Sequence, residues 1–257
     1  MSRFDAVIFD WAGTTVDYGC FAPVQAFAEV FRQFGIEPTM EEVRKPMGML
    51  KRDHIRTMLS MNRIAALWKQ RYNREWTEND VDELHSFFEK KLLASLESYT
   101  DVKPYVLDTV RLLRDNGIKI GSTTGYTDKM MDIVVKGAAA NGYSPDAWFS
   151  PDAVGGTGRP YPYMIFENMK ALHIKSVDRV IKVGDTISDI KEGVNAGVYT
   201  VGVIEGSSEL GLSEAEWNTL SEADRSDKAQ QVKKRFLDAG ADAVIDNMGQ
   251  LAKLMEL

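Results

Sequence analysis

Cysteine is nearly absent: Cys20 stands alone in 257 residues. A single thiol excludes an internal disulfide framework and a cysteine-clustered metal centre, and it fits a chain kept in the reducing cytoplasm. Long apolar runs are also missing. No stretch approaches the roughly 20 residues that a bilayer-spanning helix needs, and Asp5 and Asp10 interrupt the apolar N-terminal segment where a secretory signal would carry its hydrophobic core. There is no lysine- or arginine-rich block, and the net charge is −7. Nucleic acid and anionic membranes are therefore poor general partners. No internal repeat and no low-complexity segment is found.

What is present is ordinary for a folded enzyme-sized chain: 44% hydrophobic and 27% charged residues, with enough length for one large domain or two smaller ones. The first informative stretch is Ala6-Val7-Ile8-Phe9-Asp10-Trp11-Ala12-Gly13-Thr14-Thr15. Its apolar run reads as a fully buried parallel-type strand that ends at an acid. A carboxylate there sits where open α/β sheets bind ligands.

Residues 20 to 98 then read as almost entirely helical. Phe27, Val30, Phe31 and Phe34 recur at helical spacing, and Gly35 closes that helix. Thr39-Met40-Glu41-Glu42 is a capping box, and Pro46 ends the helix it starts. Further helices are expected after Met47–His54, near Asn62–Tyr72, and after Thr77, where Val81, Leu84, Phe88 and Leu92 form a stripe. An α/β rhythm follows. Strands are expected at Ile118–Thr123, Ala147–Ser150, Arg179–Val183, Val198–Val203 and Ala241–Ile245, with helices between them; Thr127 is expected to cap one, and Glu209–Glu222 reads as loosely helical. The pattern predicts an α/β fold: a doubly wound, parallel, Rossmann-like sheet. The core is expected from residues 1–19 and 100–257, with an all-helical cap domain, 20–99, inserted after the first strand.

Three expected strands end in chemistry-bearing groups: Asp10, then Ser122-Thr123-Thr124-Gly125, then Gly184-Asp185-Thr186-Ile187-Ser188-Asp189. In a parallel sheet they share one edge. Asp10 and Asp185 can then share a hard cation such as Mg²⁺, and Asp10 can attack an electrophile. Thr124 can donate to a phosphoryl oxygen, and Gly158-Arg159-Pro160 adds a guanidinium suited to phosphate. Each group alone has an ordinary structural explanation. Their order and shared strand-end position do not.

Asp10-Trp11-Ala12-Gly13-Thr14-Thr15-Val16-Asp17, Ser-Thr-Thr-Gly, Arg-Pro-Tyr-Pro and Gly-Asp-Thr-Ile-Ser-Asp together resemble the four motifs of the haloacid dehalogenase superfamily. The resemblance implies an aspartyl-phosphate on Asp10, and Mg²⁺ held by Asp10, the Ala12 carbonyl and Asp185. It also implies that Thr124 contacts the phosphoryl group, with Gly125 in the same loop, that Arg159 stands where many members have lysine, and that Asp189 is a supporting acid. One position departs from the family pattern. Phosphatases of the family carry a general acid two residues after the nucleophile, and here that residue is Ala12. Asp17 lies too far along to replace it.

The helical insert offers a compensating group. Lys51 and His54 are spaced i, i+3 on one helical face in methionine-rich surroundings. A desolvated lysine becomes a nucleophilic amine able to form an imine with a carbonyl. With the Met47-Gly48 segment, Gly-Ser-Thr-Thr-Gly-Tyr-Thr and Gly-Arg-Pro-Tyr-Pro, the chain is similar along its full length to the branch of that superfamily that cleaves carbon–phosphorus bonds. That similarity implies a small phosphonate substrate, an imine on Lys51, His54 as a proton shuttle, and a homodimer. Met47, Cys20 and Tyr126 are expected to line the site. Met49 is a further candidate, and Met58, Leu59, Ile64, Leu67 and Trp68 are candidates for either the dimer interface or the cap core. The competing readings are a Mg²⁺-dependent phosphatase or phosphotransferase of the same superfamily, and a non-catalytic scaffold.

Overall fold

The structure is a computed structural model and describes residues 3–257, so the first two residues of the expected core segment lie outside it. Six parallel strands form one sheet: β1 (Ala6–Phe9), β2 (Lys119–Thr123), β3 (Ala147–Phe149), β4 (Val180–Gly184), β5 (Tyr199–Val203) and β6 (Ala243–Ile245). Their order is β3-β2-β1-β4-β5-β6. The central strands β1 and β4 are buried along their whole length, as a parallel sheet covered on both faces requires. β1 pairs with β4 in register from Ala6 opposite Val180 to Phe9 opposite Val183. The chain winds outward in one direction from β1 and in the other from β4. The crevice at their carboxyl ends is thus the topological switch point, where doubly wound sheets bind ligands. All five later strands fall within the expected segments, except that β4 runs one residue beyond Val183 to Gly184.

Between β1 and β2 the chain forms α1 (Phe21–Gln33), α2 (Met40–Arg44), α3 (Lys51–Leu59), α4 (Asn62–Tyr72), α5 (Glu78–Ser95) and the short 3₁₀ turn Leu96–Tyr99. The Thr39/Glu42 capping box starts α2, and a Thr77/Asp80 box starts α5. Phe27 of α1 stacks on Phe88 of α5 at 4.1 Å and on the His54 ring of α3 at 3.7 Å, pinning the three helices together. Met58, Leu59, Ile64 and Trp68 are fully buried in this helical core and Leu67 packs against it. These side chains thus lie inside the helical unit and are not exposed as a contact surface.

The remaining helices are α6 (Val106–Asp115), α7 (Asp128–Ala140), α8 (Tyr163–Ala171), α9 (Ile187–Ala196), α10 (Glu214–Thr219), α11 (Glu222–Asp238) and α12 (Leu251–Leu254). Two expectations need correction. Thr127 occupies the position before α7, but its hydroxyl makes no cap bond. The 209–222 stretch is helical only over α10 and at Glu222, where α11 begins, because Ser213 and Ser221 each start a new helix with a side-chain cap.

The two passages between sheet and helices are tied to each other. Val16 and Val102 form an isolated antiparallel bridge, Asp17 N donates to the Asp101 carbonyl at 3.2 Å, and Lys103 N donates to the Thr15 carbonyl at 2.9 Å. Gly137 of α7 packs on the returning segment. A Cβ there would lie 2.4 Å from Thr100 Oγ1 and 2.6 Å from Thr100 Cβ. Replacing a helical glycine by alanine ordinarily stabilises a helix by about 1 kcal/mol. Here the overpacking outweighs that gain. Gly137→Ala is expected to destabilise the protein by about 1–3 kcal/mol, read as a lower urea midpoint at unchanged m-value.

Candidate active site

Asp10 directly follows β1, and its N–H donates to the Val183 carbonyl at 2.9 Å, so the paired edge of the strand extends to the acid itself. The next residues fold into a tight loop. The amides of Thr14, Thr15 and Val16 all donate to the Trp11 carbonyl, and the Thr15 hydroxyl donates to the Asp10 carbonyl at 3.0 Å. Gly13 has φ +86°, and a Cβ there would lie 2.1 Å from Asp185 Oδ2. Only glycine lets the loop bring Asp10 and Asp185 together. Asp185, just past β4, accepts from the Thr14 hydroxyl at 3.1 Å and from the Ser208 amide at 2.7 Å.

Asp10, Asp185 and Asp189 form a buried carboxylate cluster whose oxygens lie within 4.8 Å of one another. Burial pushes the Asp185 carboxyl well above the ordinary carboxylate range, and repulsion from Asp10 and Asp189 adds to that. Burial likewise raises Asp10. Buried like charges relieved by no direct cation on Asp185 are what a hard divalent cation satisfies, and the donors are all oxygen. The residues therefore fit a divalent metal. Asp189 is the least free of the three. Its Oδ2 accepts from the Thr186 hydroxyl at 2.5 Å in the capping box of α9, and its Oδ1 faces Arg159 and Lys182, each at 3.0 Å.

Arg159 is buried and each guanidinium nitrogen meets a carboxylate: Nη2 to Asp10 at 2.6 Å, Nη1 to Asp189 at 3.0 Å, Nε to Glu192 at 2.9 Å. Behind it, the fully buried Lys182 of β4 meets Asp189 at 3.0 Å and Glu192 at 3.2 Å. Lys103 is also buried. It donates to the Glu205 carbonyl at 2.7 Å and to the Gly13 carbonyl, and burial lowers its pKa to about 8.

One cavity gathers Asp10, Ala12, Cys20, Pro23, Met47, Gly48, Lys51, Thr124, Gly125, Tyr126, Arg159 and Thr186. Lys51 comes from the first turn of α3, Pro23 from the first turn of α1, and the others from five separate loops. It is 6% exposed, and its ammonium lies 4.9 Å from the centre of the Tyr126 ring. Burial pulls its pKa below that of an ordinary lysine. The Thr124 hydroxyl accepts from the Tyr126 amide at 3.0 Å, shaping the loop after β2. The Cys20 thiol is pushed well up by burial, so it is protonated and not a nucleophile.

His54 is not among the cavity-lining residues. It lies flat on Phe27, and burial and the Lys51 charge hold it neutral by pushing its pKa well down. Met49 does not line the cavity either; its sulfur accepts from the Thr57 hydroxyl at 3.9 Å. Asp17 caps α1, accepting from Phe21 N at 2.9 Å and Ala22 N at 3.0 Å, and burial pushes its pKa up to about 7. Sequence reasoning missed Lys182, Glu192 and Lys103. The only signal for Lys182 was a lysine inside an apolar strand run, a position that demands a buried anion.

The family model for haloacid dehalogenase-like hydrolases matches residues 4–197, which spans the strand-end acids, the arginine loop and the helical insert. The chain belongs to the haloacid dehalogenase-like hydrolases. Members of this family generally use a divalent metal, in keeping with the acidic cluster. Among curated relatives of this family member, a phosphonoacetaldehyde hydrolase from Lysinibacillus sphaericus is 53% identical over 253 residues, 98% of this chain and 94% of that protein. A bifunctional phosphonoacetaldehyde hydrolase/aminoethylphosphonate transaminase from Clostridioides difficile is 51% identical over 98% of this chain, which spans only 40% of that longer protein. The crystal structure of a phosphonoacetaldehyde hydrolase-like protein from Oleispira antarctica superposes with a TM-score of 0.96 at 37% identity, covering 99% of this chain and 92% of that one. As in the sequence, no helix among the described residues is long and apolar enough to cross a membrane.

The Gly13 geometry yields a direct test. Gly13→Ala is expected to weaken divalent-metal binding by at least about tenfold, since both the positive φ and the space beside Asp185 exclude a methyl group. Calorimetric titration of the metal-free protein with Mg²⁺ reads the loss.

Proposed function

We propose that this chain hydrolyses the carbon–phosphorus bond of phosphonoacetaldehyde to acetaldehyde and inorganic phosphate. The observation that carries the reading is the shared cavity: a buried lysine amine from α3 and the carboxylate after β1 line it together, with Ala12 where family phosphatases keep a general acid. The named relatives support it.

Expelling a bare carbanion from phosphorus is prohibitively slow, and an imine removes that barrier. Lys51 Nζ adds to the aldehyde carbon and water departs, leaving a protonated imine. An Asp10 carboxylate oxygen attacks phosphorus. The electron pair of the breaking C–P bond flows into the imine, so the leaving group is an enamine and no alkoxide needs a proton. That accounts for Ala12. The enamine is protonated at carbon, and water then hydrolyses both the imine and the aspartyl phosphate. Arg159 and Thr124 orient the phosphoryl oxygens. Asp10, Asp185 and the Ala12 carbonyl would hold Mg²⁺, which would supply further neutralisation of phosphoryl charge. Asp189 supports this set through Thr186 and Arg159. His54 is assigned the proton-carrier role in imine formation because it is neutral and one helical turn from Lys51, although its ring lies on Phe27 outside the cavity lining. Met47, Cys20, Gly125 and Tyr126 wall the aldehyde side and keep Lys51 dry.

In this reading residues 20–99 are a cap domain on the core formed by 1–19 and 100–257, moving at the two tied passages and excluding water on closure. The enzyme is proposed to work as a cytoplasmic homodimer. Light scattering checks the assembly.

Two outcomes test the chemistry. Borohydride added with phosphonoacetaldehyde is expected to leave a reduced adduct on Lys51, mapped by peptide mass spectrometry, and Lys51→Arg is expected to abolish both adduct and turnover. An unmodified Lys51 leaves the phosphatase or phosphotransferase reading in place. The trapping rate is expected to rise with pH as Lys51 loses its proton. Because burial lowers its pKa, the plateau should come below the 10.5 of a free lysine side chain. A plateau at or above that value contradicts the dry-lysine mechanism.

A further inference from the structure

Arg159 faces the cavity, yet half of its environment lies behind it. Glu192 Oε2, on α9, is met by three donors: Arg159 Nε at 2.9 Å, the Thr123 hydroxyl at 2.9 Å and Lys182 Nζ at 3.2 Å. The Thr123 hydroxyl in turn accepts from Arg159 Nη2 and from Lys182 Nζ, both at 2.8 Å. Glu192 and Lys182 are fully buried and neither lines the cavity. They touch neither the reacting carboxylate Asp10 nor the aldehyde side. Glu192 meets the guanidinium directly, and Lys182 reaches it through the Thr123 hydroxyl, Glu192 and Asp189.

We infer that Glu192 and Lys182 are positioning residues that aim Arg159 at the phosphoryl group. Glu192 anchors the Nε edge, which fixes the plane of the guanidinium and leaves Nη2 directed to Asp10 and the cavity. Lys182 has a different task. With Arg159 alone, Glu192 and Asp189 would neutralise the guanidinium and leave little positive field for a dianionic phosphonate. A second buried cation balances those two acids, so Arg159 retains charge for the cavity. Buried ion pairs are a poor source of net stability, because desolvation offsets their attraction. Orientation of a functional guanidinium is a better explanation for keeping four charges out of water.

This inference rests on the reading that the cavity takes a phosphoryl group, so the test uses inorganic phosphate, which needs no aldehyde chemistry. Phosphate affinity of the Mg²⁺-loaded protein is measured by calorimetry in a double-mutant cycle. Glu192→Gln is expected to weaken phosphate binding about tenfold when Arg159 is present and less than about twofold in an Arg159→Ala background. Lys51 trapping by borohydride is expected to stay near the wild-type rate. Because Glu192→Gln leaves Lys182 short of a partner and could unfold the core, the Lys182→Met/Glu192→Gln pair is measured alongside, with melting temperatures; it is expected to show the same dependence on Arg159. Equal losses in both backgrounds, or wild-type phosphate affinity in the folded double variant, overturn the positioning role. An intact cycle in a protein that fails to turn over phosphonoacetaldehyde supports the positioning role and defeats the proposed substrate instead.

Discussion

Arg159 ties together carboxylates that would otherwise repel one another: Asp10 from the end of β1, and Asp189 and Glu192 from α9. Parallel sheets converge their strand ends on one edge, and in this chain that edge is acidic. Four buried carboxylates, counting Asp185, lie among four buried cations, Arg159, Lys182, Lys103 and Lys51. The least compensated acid is Asp185, which no ion pair meets among the described residues, although Lys103 acts on it at longer range. A divalent metal and a dianionic ligand can both be accommodated there with little net change in charge. The architecture of the sheet and the electrostatics of the site are in this sense one constraint, because moving any strand end would break the balance.

An arginine suits that constraint better than the lysine many family members carry at this place. A guanidinium presents donors on three edges in a fixed plane, and here all three edges meet a carboxylate. An ammonium could satisfy the same acids only by moving among them. The planar group couples the acid after β1 rigidly to α9, and through the Thr186–Asp189 capping box to the loop that carries Asp185.

Much of this was legible in the sequence, for a definite reason. Asp10, Thr124, Asp185 and Asp189 follow apolar runs that must be buried strands, and parallel pairing then brings them to one edge whatever the side-chain detail. Lys51 was legible from the converse signal, a gap in the pattern at Ala12. Glu192 and Lys103 were not, because nothing in a single chain says which face of α9 turns inward or that the returning passage reaches Gly13. Those facts depend on helix rotation and on long-range packing. The Thr127 cap failed for a similar reason: the residue sits at the right position, but hydroxyl direction is set by neighbours that local spacing does not encode. Residues 58–68 show the same limit, since an apolar stripe alone does not distinguish the interior of the helical unit from an exterior contact surface.

The seam between the helical insert and the sheet edge is made largely of main chain. A Cβ at Gly125 would lie 3.2 Å from the carbonyl oxygens of both Gly48 and Met49, and one at Gly48 would lie 2.4 Å from Thr186 Oγ1. Ser188 closes the same seam by donating to the Met47 carbonyl at 3.0 Å. A wall of this kind offers little to trim beyond the small side chains of Thr186 and Ser188. Redesign of the cavity for a bulkier compound therefore has one direction open to it, through Cys20, Pro23 and Met47, while the opposite wall stays fixed for as long as the backbone keeps its course.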